Sequence, residues 1–328
     1  MAGKKTSVVL IGTGTFAKVH VYCMLAMQKD VRIAGFVDIS DQAPANIAKP
    51  FEDWKIKKIP PFFKTIDEFL AANKGPADVA VIITPHNVHC EQIIACLKAG
   101  MDTLVEKPMV LNAAEARRVM KVRDETGRLF SVAFPGSYSP AVRKAKEMIA
   151  AGDIGDLKSI AVYTHQCWKQ GTVGSWRQNP EISGGGFLSD TGSHAVNTML
   201  DLAGADVAEL TATQDNRGTP VDIATSLQGR FKNGVFFTLC AEGESVNCQS
   251  RVMAIGTRGV IITGQWGEFL RIIREGKWEE EPVEFPASRG TFEQFMLVRK
   301  GKIPNPCPAE VGLRFVKFID MVRASAKK

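Results

Sequence analysis

The sequence opens with the feature that most constrains its fold. A β-rich run, Ser7–Ile11, passes straight into Gly12-Thr13-Gly14-Thr15-Phe16-Ala17, and a helical stretch continues to Gln28. Gly12 permits a tight strand-to-helix turn, Gly14 lets a ligand approach the backbone, and Ala17 is small enough for close helix–strand packing. Amides at the start of the helix then face an anion. Glycines alone serve any tight turn of this kind. Here a second strand, Val31–Val37, ends on Asp38, about where an acid meets the ribose hydroxyls of a dinucleotide. A carboxylate repels a 2′-phosphate and no Arg follows it closely, so the pair points to NAD as cofactor, with NADP the less favoured choice.

The first third goes on in the same alternation. Val79–Ile83, Thr103–Val105 and Leu129–Phe134 read as strands, with helices through Val88–Ala99 and Ala113–Thr126. Near-continuous Val/Ile runs mark strands buried on both faces, and alternation with helices implies a doubly wound parallel sheet. Pro135, Gly136 and Pro140 break the pattern, and a helix from Ala141 to Ala151 follows. Strands then dominate: Leu157–Thr164, Glu209–Thr213, Ala224–Phe231, Val235–Leu239, Arg251–Ile255, Val260–Thr263 and Phe269–Ile273. Turn signals rather than intervening helices separate them, which predicts a mostly antiparallel sheet. The expected architecture is α/β in two domains: 1–134 for the dinucleotide, and 135–328 for substrate binding and oligomerisation. A C-terminal helix over 308–324 is expected to pack back on the first domain.

Composition narrows the function classes. With 45% hydrophobic and 23% charged residues, a chain of 328 residues supports two ordinary cores. A net charge of +6, scattered rather than blocked, argues against a nucleic-acid partner. The 7 cysteines form no CxxC pair and read as reduced thiols, with no metal site expected. No run approaches the ~18 apolar residues of a membrane span. The expectation is a cytoplasmic protein with no membrane partner.

Ligands of doubly wound sheets bind beyond the carboxyl ends of the strands. Thr84-Pro85-His86-Asn87-Val88-His89 and Glu106-Lys107-Pro108 fall there. Lys107 is placed to hydrogen-bond a substrate hydroxyl, although alone it would read as a surface lysine. His86 and His89 suit lining a cofactor or capping a helix. Further on, Gly184-Gly185-Gly186-Phe187-Leu188-Ser189-Asp190-Thr191-Gly192-Ser193-His194 offers a backbone open to a ligand, followed by a helix. Asp190 and His194, four apart, fall on one helical face, the histidine suited to acid–base work and the carboxylate to orienting it. A buried histidine and a dipole-favoured aspartate would give the same spacing. Between the two regions, His165, Gln166, Trp168, Lys169, Trp176 and Arg177 are substrate-binding candidates. Trp faces suit sugar rings, and Lys169 with Arg177 suits a carboxylate; core packing is the alternative for both Trp.

In this order and spacing the segments resemble the Gfo/Idh/MocA family of oxidoreductases. The carrying motifs are the glycine turn, Thr-Pro-x-x-x-His at 84–89, Glu-Lys-Pro at 106–108, Trp-Arg at 176–177, and Gly-Gly-Gly-x-x-x-Asp-x-Gly-x-His from 184. The resemblance implies a Rossmann domain followed by an α/β domain whose open sheet commonly forms homodimer or homotetramer interfaces. It implies Lys107, Asp190 and His194 as the catalytic set, with Asp38 at the adenosine ribose and Thr84, His89 and Glu106 near the cofactor. It also implies a cis Lys107–Pro108 bond. The activity implied is NAD(P)-dependent hydride transfer at a secondary alcohol or ketone of a sugar, polyol or derivative. Redox-neutral glycoside cleavage and a non-catalytic dinucleotide sensor are the alternatives. Two departures stand out: Asn197 replaces an acid common in the family, and Gly136-Ser137-Tyr138 replaces a common Asn-Arg stretch.

Overall fold

The computed structural model describes residues 4–326; residues 1–3 and 327–328, the outer ends of the two expected domains, lie outside it. The chain divides into two compact units. The first comprises residues up to Val110, Ala114–Ala133 and Gly290–Glu310; the second comprises Leu111–Ala113, Phe134–Arg289 and Val311 onward. The segment that returns to the first unit is therefore Gly290–Glu310, whereas the C-terminal helix clusters with the second unit.

The first unit is built on β1 (Thr6–Ile11), β2 (Val31–Val37), β3 (Phe62–Phe63), β4 (Val79–Ile82), β5 (Asp102–Glu106) and β6 (Phe130–Ala133), interleaved with α1 (Ala17–Ala26), α2 (Ala43–Asp53), α3 (Ile66–Ala72), α4 (His89–Lys98) and α5 (Ala113–Thr126). The strands form one parallel sheet in the order β3-β2-β1-β4-β5-β6. Every residue of β4 and β6 is buried, as the unbroken apolar sequence of β4 requires, while the one polar residue of β6, Ser131, donates to Asn305 Oδ1 at 2.8 Å. The order reverses between β1 and β4, which opens a crevice beyond their carboxyl ends. Helix α2 carries Pro50 in its interior, yet Ile47 and Phe51 are buried in the core beside Phe36. Burial of such side chains contributes about 1.5–3 kcal/mol each, enough to override a poor local sequence.

The second unit begins with α6 (Pro135–Tyr138) and α7 (Pro140–Ala151), followed by β7 (Leu157–Cys167), α8 (Trp168–Gly171), α9 (Pro180–Ser183) and α10 (Gly192–Ala203). Then come β8 (Val207–Asp215), β9 (Ala224–Phe231), β10 (Phe236–Glu242), β11 (Glu244–Gly256), β12 (Gly259–Thr263), β13 (Leu270–Arg274) and β14 (Glu281–Pro282). The returning helix α11 (Thr291–Arg299) packs Phe292, Phe295 and Met296 into the first unit's core, and α12 (Ala309–Ser325) ends the described chain. The sheet runs β14-β13-β12-β11-β7-β10-β9-β8 and is antiparallel except where β10 lies parallel to β7. Here burial alternates, as in β10, because one face is covered by helices and the other is open. Phe237 meets Phe318 of α12 at 6.2 Å, and Phe134 meets Phe315 at 5.5 Å. Among the described residues no helix is long and apolar enough to cross a membrane.

Candidate active site

The expected cofactor residues lie at the carboxyl edge of the first unit's sheet. Gly12 has φ +96°, and a Cβ there would stand 2.8 Å from the Ile83 carbonyl and 2.9 Å from the Thr84 amide. Glycine is therefore required where the turn crosses the end of β4. The Thr13 amide and hydroxyl donate to Asp38 Oδ2 at 2.7 and 2.6 Å, and the Ser40 amide donates to Oδ1 at 2.8 Å. Asp38 is thus a clasp that fastens the glycine turn, and Thr13 is fully buried behind it. A Cβ on Gly14 would meet nothing within 4 Å. Among the described residues the amides of Gly14, Thr15 and Phe16 have no protein acceptor, and α1 has no acid in its first turn. Open space above unengaged amides at a helix N-terminus fits a pyrophosphate.

The neighbouring loops are braced from within. The Thr84 hydroxyl donates to Gln92 Oε1 at 2.6 Å. His89 is fully buried, its Nδ1 at 2.9 Å from the Pro108 carbonyl and its Nε2 at 2.9 Å from that of Thr84. It joins the two loops rather than presenting a face to a ligand, and burial pushes its pKa below the ordinary range. His86 is buried against it, ring to ring at 5.8 Å, and Pro85 leads into that turn. Glu106 Oε1 pairs with His20 Nε2 of α1 at 2.8 Å, a partner with no local sequence signal. Lys107 follows β5 and precedes Pro108 through a cis bond.

The second unit holds the other cluster, with two differences from the sequence reading. Helix α10 starts at Gly192, so Asp190 lies in the turn before it rather than on one helical face with His194. Gly184-Gly185-Gly186 is not open backbone either. A Cβ on Gly186 would stand 1.9 Å from the Asp222 carbonyl oxygen, and Gly184, at φ +74°, abuts Leu111. The Asp222 carboxylate accepts from the Gly186 amide at 2.7 Å and the Leu188 amide at 3.0 Å, holding the run in place. Burial pushes the pKa of Asp222 up. Asp222 was silent in the sequence because its partners lie over thirty residues away.

Asp190 is buried, and its Oδ2 accepts from Trp168 Nε1 at 2.8 Å and Arg177 Nε at 3.1 Å. Trp168 is only 3% exposed, so it is a core residue rather than a platform for a sugar ring. Arg177 also lies over the Trp176 ring at 4.6 Å. Lys169 pairs with Glu244 at 2.8 Å, while His165 stacks on Tyr163 and contacts the Ser245 hydroxyl at 3.2 Å. His194, in the first turn of α10, sits edge-on to Trp266 at 5.6 Å and Phe134 at 6.2 Å. Asp190, Trp168 and Arg177 thus form one group. Trp266, unremarked in the sequence, joins His194 from the loop after β12.

Comparison with known proteins agrees with both halves. Residues 6–134 match the model of an oxidoreductase family with an NAD-binding Rossmann fold, and residues 142–262 match the GFO/IDH/MocA C-terminal domain. An oxidoreductase of Formosa agariphila is 24% identical over 73% of this chain and 76% of its own length. The scyllo-inositol 2-dehydrogenase (NADP(+)) of Bacillus subtilis is 26% identical over 56% of this chain, a match spanning about half, 52%, of that relative. The solved structure of a levoglucosan dehydrogenase with NADH and levoglucosan superposes with a TM-score of 0.82 at 20% identity, covering 98% of this chain and 97% of that one. The chain belongs to the GFO/IDH/MocA family of oxidoreductases, and its first unit is the family's NAD-binding Rossmann domain.

Proposed function

We propose that this protein interconverts a secondary alcohol and a ketone on a sugar, polyol or sugar derivative, using NAD in preference to NADP. Lys107, Asp190 and His194 are the residues assigned to the chemistry. The observation that carries the reading is the built anion cradle, with unengaged amides at Gly14, Thr15 and Phe16 and a turn fastened by Asp38. The substrate class rests on relatives named for inositol and levoglucosan.

When bound, the dinucleotide supplies a two-electron acceptor. The chain does the rest. His194 takes the hydroxyl proton during oxidation and returns it during reduction. The Lys107 ammonium donates to the oxygen as negative charge develops on it. Asp190, held by Trp168 and Arg177, orients the His194 ring and stabilises its charged form. Asp38 excludes a 2′-phosphate by charge, and Lys64, the nearby cation, is paired with Asp41 at 2.6 Å. Oligomerisation through the open face of the second sheet, where Tyr163 and Phe236 are 42% and 53% exposed, completes the reading.

A panel of polyols, sugars and sugar acids, assayed with NAD and NADP for reduced cofactor, tests the proposal. Lys107→Ala and His194→Ala should retain NADH binding and lose most turnover. Near-normal turnover in Lys107→Ala, or a higher kcat/KM with NADP in the parent protein, would sink the corresponding assignment.

A further inference from the structure

The sequence offers Arg177 and Lys169 as receptors for a substrate carboxylate, yet the structure pairs both within the protein. Lys169 holds Glu244, which Arg217 also approaches at 3.4 Å. Arg177 is fixed from three sides. Its Nε donates to Asp190 Oδ2 at 3.1 Å, its guanidinium covers one face of Trp176 at 4.6 Å, and its amide donates to Ser175 Oγ at 3.3 Å. Trp168 Nε1 converges on the same carboxylate oxygen at 2.8 Å. That indole is itself held, because the Trp168 and Lys169 amides both donate to the Gly243 carbonyl, at 2.9 and 2.8 Å. Gln178 Nε2 ties the loop together by donating to the Lys169 carbonyl at 2.7 Å and to Thr172 Oγ1 at 2.9 Å.

We propose that Arg177 is a positioning residue for Asp190, and that it reads no charge on the substrate. The proposal rests on the assignment of Asp190 made above. Two donors converging on one oxygen fix both the rotation and the position of the carboxylate. The Asp190 side chain is only 7% exposed, so withdrawing Arg177 Nε from it would take a charged donor away from a buried carboxylate. Such a loss is strongly unfavourable. Arg177 is suited to the task because its planar fork bonds at its edge while its face stacks, which a lysine cannot reproduce. A substrate that meets this wall is therefore selected by its hydroxyls and not by a carboxylate.

The test uses the full chain with Arg177→Met, Arg177→Lys and Trp168→Phe, each checked by thermal melting. Matched neutral sugars and their carboxylated counterparts are assayed as substrates. The expected result is a fall in kcat of roughly ten- to a hundredfold for every substrate, with KM little changed. Arg177→Lys should recover part of the loss, and Trp168→Phe should show a smaller loss of the same kind. A selective rise in KM for carboxylated substrates at unchanged kcat would overturn the proposal. A second readout needs no turnover. The indole ¹⁵N–H resonance of Trp168, assigned by its loss in Trp168→Phe, reports protonation of Asp190. Its pH midpoint should move upward in Arg177→Met, since an opposite charge favours the ionised form. An unmoved midpoint overturns the proposal even if the activity panel is blank, whereas a blank panel with a moved midpoint counts against the reaction alone.

Discussion

Two glycines make opposite demands on the fold, and replacing each by alanine separates them. At Gly186 the new methyl would stand 1.9 Å from the Asp222 carbonyl oxygen and 2.7 Å from its carbon and nitrogen. Backbone in the loop that enters β9 cannot yield as a flexible side-chain end does, so Asp222 must retreat by more than an ångström. Three hydrogen bonds depend on its present place: Gly186 N to Oδ1 at 2.7 Å, Leu188 N to Oδ2 at 3.0 Å, and Phe187 N to the carbonyl at 2.8 Å. At about 1 kcal/mol for a neutral bond and 1.5–3 for one to a charged group, partial loss amounts to ~4 kcal/mol. In a unit of this size that lowers Tm by roughly 8–16 °C. Gly14→Ala meets nothing within 4 Å and should leave Tm unchanged or slightly raised. Its methyl fills the space through which the pyrophosphate approaches, so the Kd for NADH should rise about tenfold or more. Calorimetry and NADH fluorescence titration on both variants decide the matter. A Gly186→Ala loss below ~1 kcal/mol would show that the run is not packed as described, against the cost derived from its bonds. NADH binding intact in Gly14→Ala would remove that glycine from the cradle.

Three further outcomes are expected. Asp38→Ser removes the charge facing a 2′-phosphate and one clasp on Thr13, so preference for NAD over NADP should shrink while kcat/KM with NAD also falls; an unchanged cofactor ratio contradicts the role given to Asp38. Acid should weaken the first unit in two windows, followed by urea unfolding against pH. Burial lowers the pKa of His89 in the folded state, so the unfolded chain binds its proton first and stability falls below ~pH 6.5. Burial raises the Asp78 pKa, but the hydroxyl and amide of Ser7, with Arg299, outweigh it and hold the carboxyl below its usual range. Its contribution is present above ~pH 4 and lost as pH falls through the folded value, so Ser7→Ala should flatten only this lower limb. Light scattering should give twice or four times the chain mass, and Phe236→Glu should lower it; a monomer at micromolar concentration in the parent protein refutes the assembly.

Much of the fold is legible because the two sheets bury their strands differently. Val79–Ile82 is apolar without a break and is buried on both faces, whereas Phe236–Glu242 alternates and is buried on one. The elements absent from the sequence reading depend on distant partners. Ala43–Asp53 contains Pro44 and Pro50, and it is helical because Ile47 and Phe51 find the core around Phe36. Thr291–Arg299 is too short to declare itself until Phe295 packs among residues of the opening strands and helices. The glycines at 12 and 14 read correctly as a turn because the strand, turn and helix that frame them are contiguous in sequence, even though Gly12 also abuts the distant Ile83 and Thr84. Those at 184 to 186 read as a ligand cradle because the reason for them lies at Leu111, Ser189 and Asp222.

Asn197 stands where the family resemblance implies an acid, and its surroundings suit an amide. Its Nδ2 donates to Ser137 Oγ at 2.8 Å and lies 3.4 Å from Asp201 Oδ2. Ser137 donates to the same Asp201 oxygen at 2.6 Å, and Arg314 pairs with the other. Asp201 and the two residues on its far oxygen are all buried, at 4% for Ser137, 1% for Asn197 and 5% for Asp201. One turn further along α10, Asp201 supplies the negative charge, and Arg314 neutralises it. A second carboxylate at 197 would face Asp201 with no further cation in this group, and like charges at such a distance repel by about 4 kcal/mol at an effective dielectric of 20. Asn197→Asp should therefore cost ~2–4 kcal/mol in urea unfolding, or take up a proton above the usual carboxylate range. Asp201→Asn strands Arg314 and should cost a similar amount, ~2–4 kcal/mol. The double variant Asn197→Asp/Asp201→Asn restores one acid to one base, so its loss should be smaller than the sum of the single losses by at least ~2 kcal/mol. Strict additivity would mean that the two positions do not share one charge, and the exchange in this chain would then need another cause.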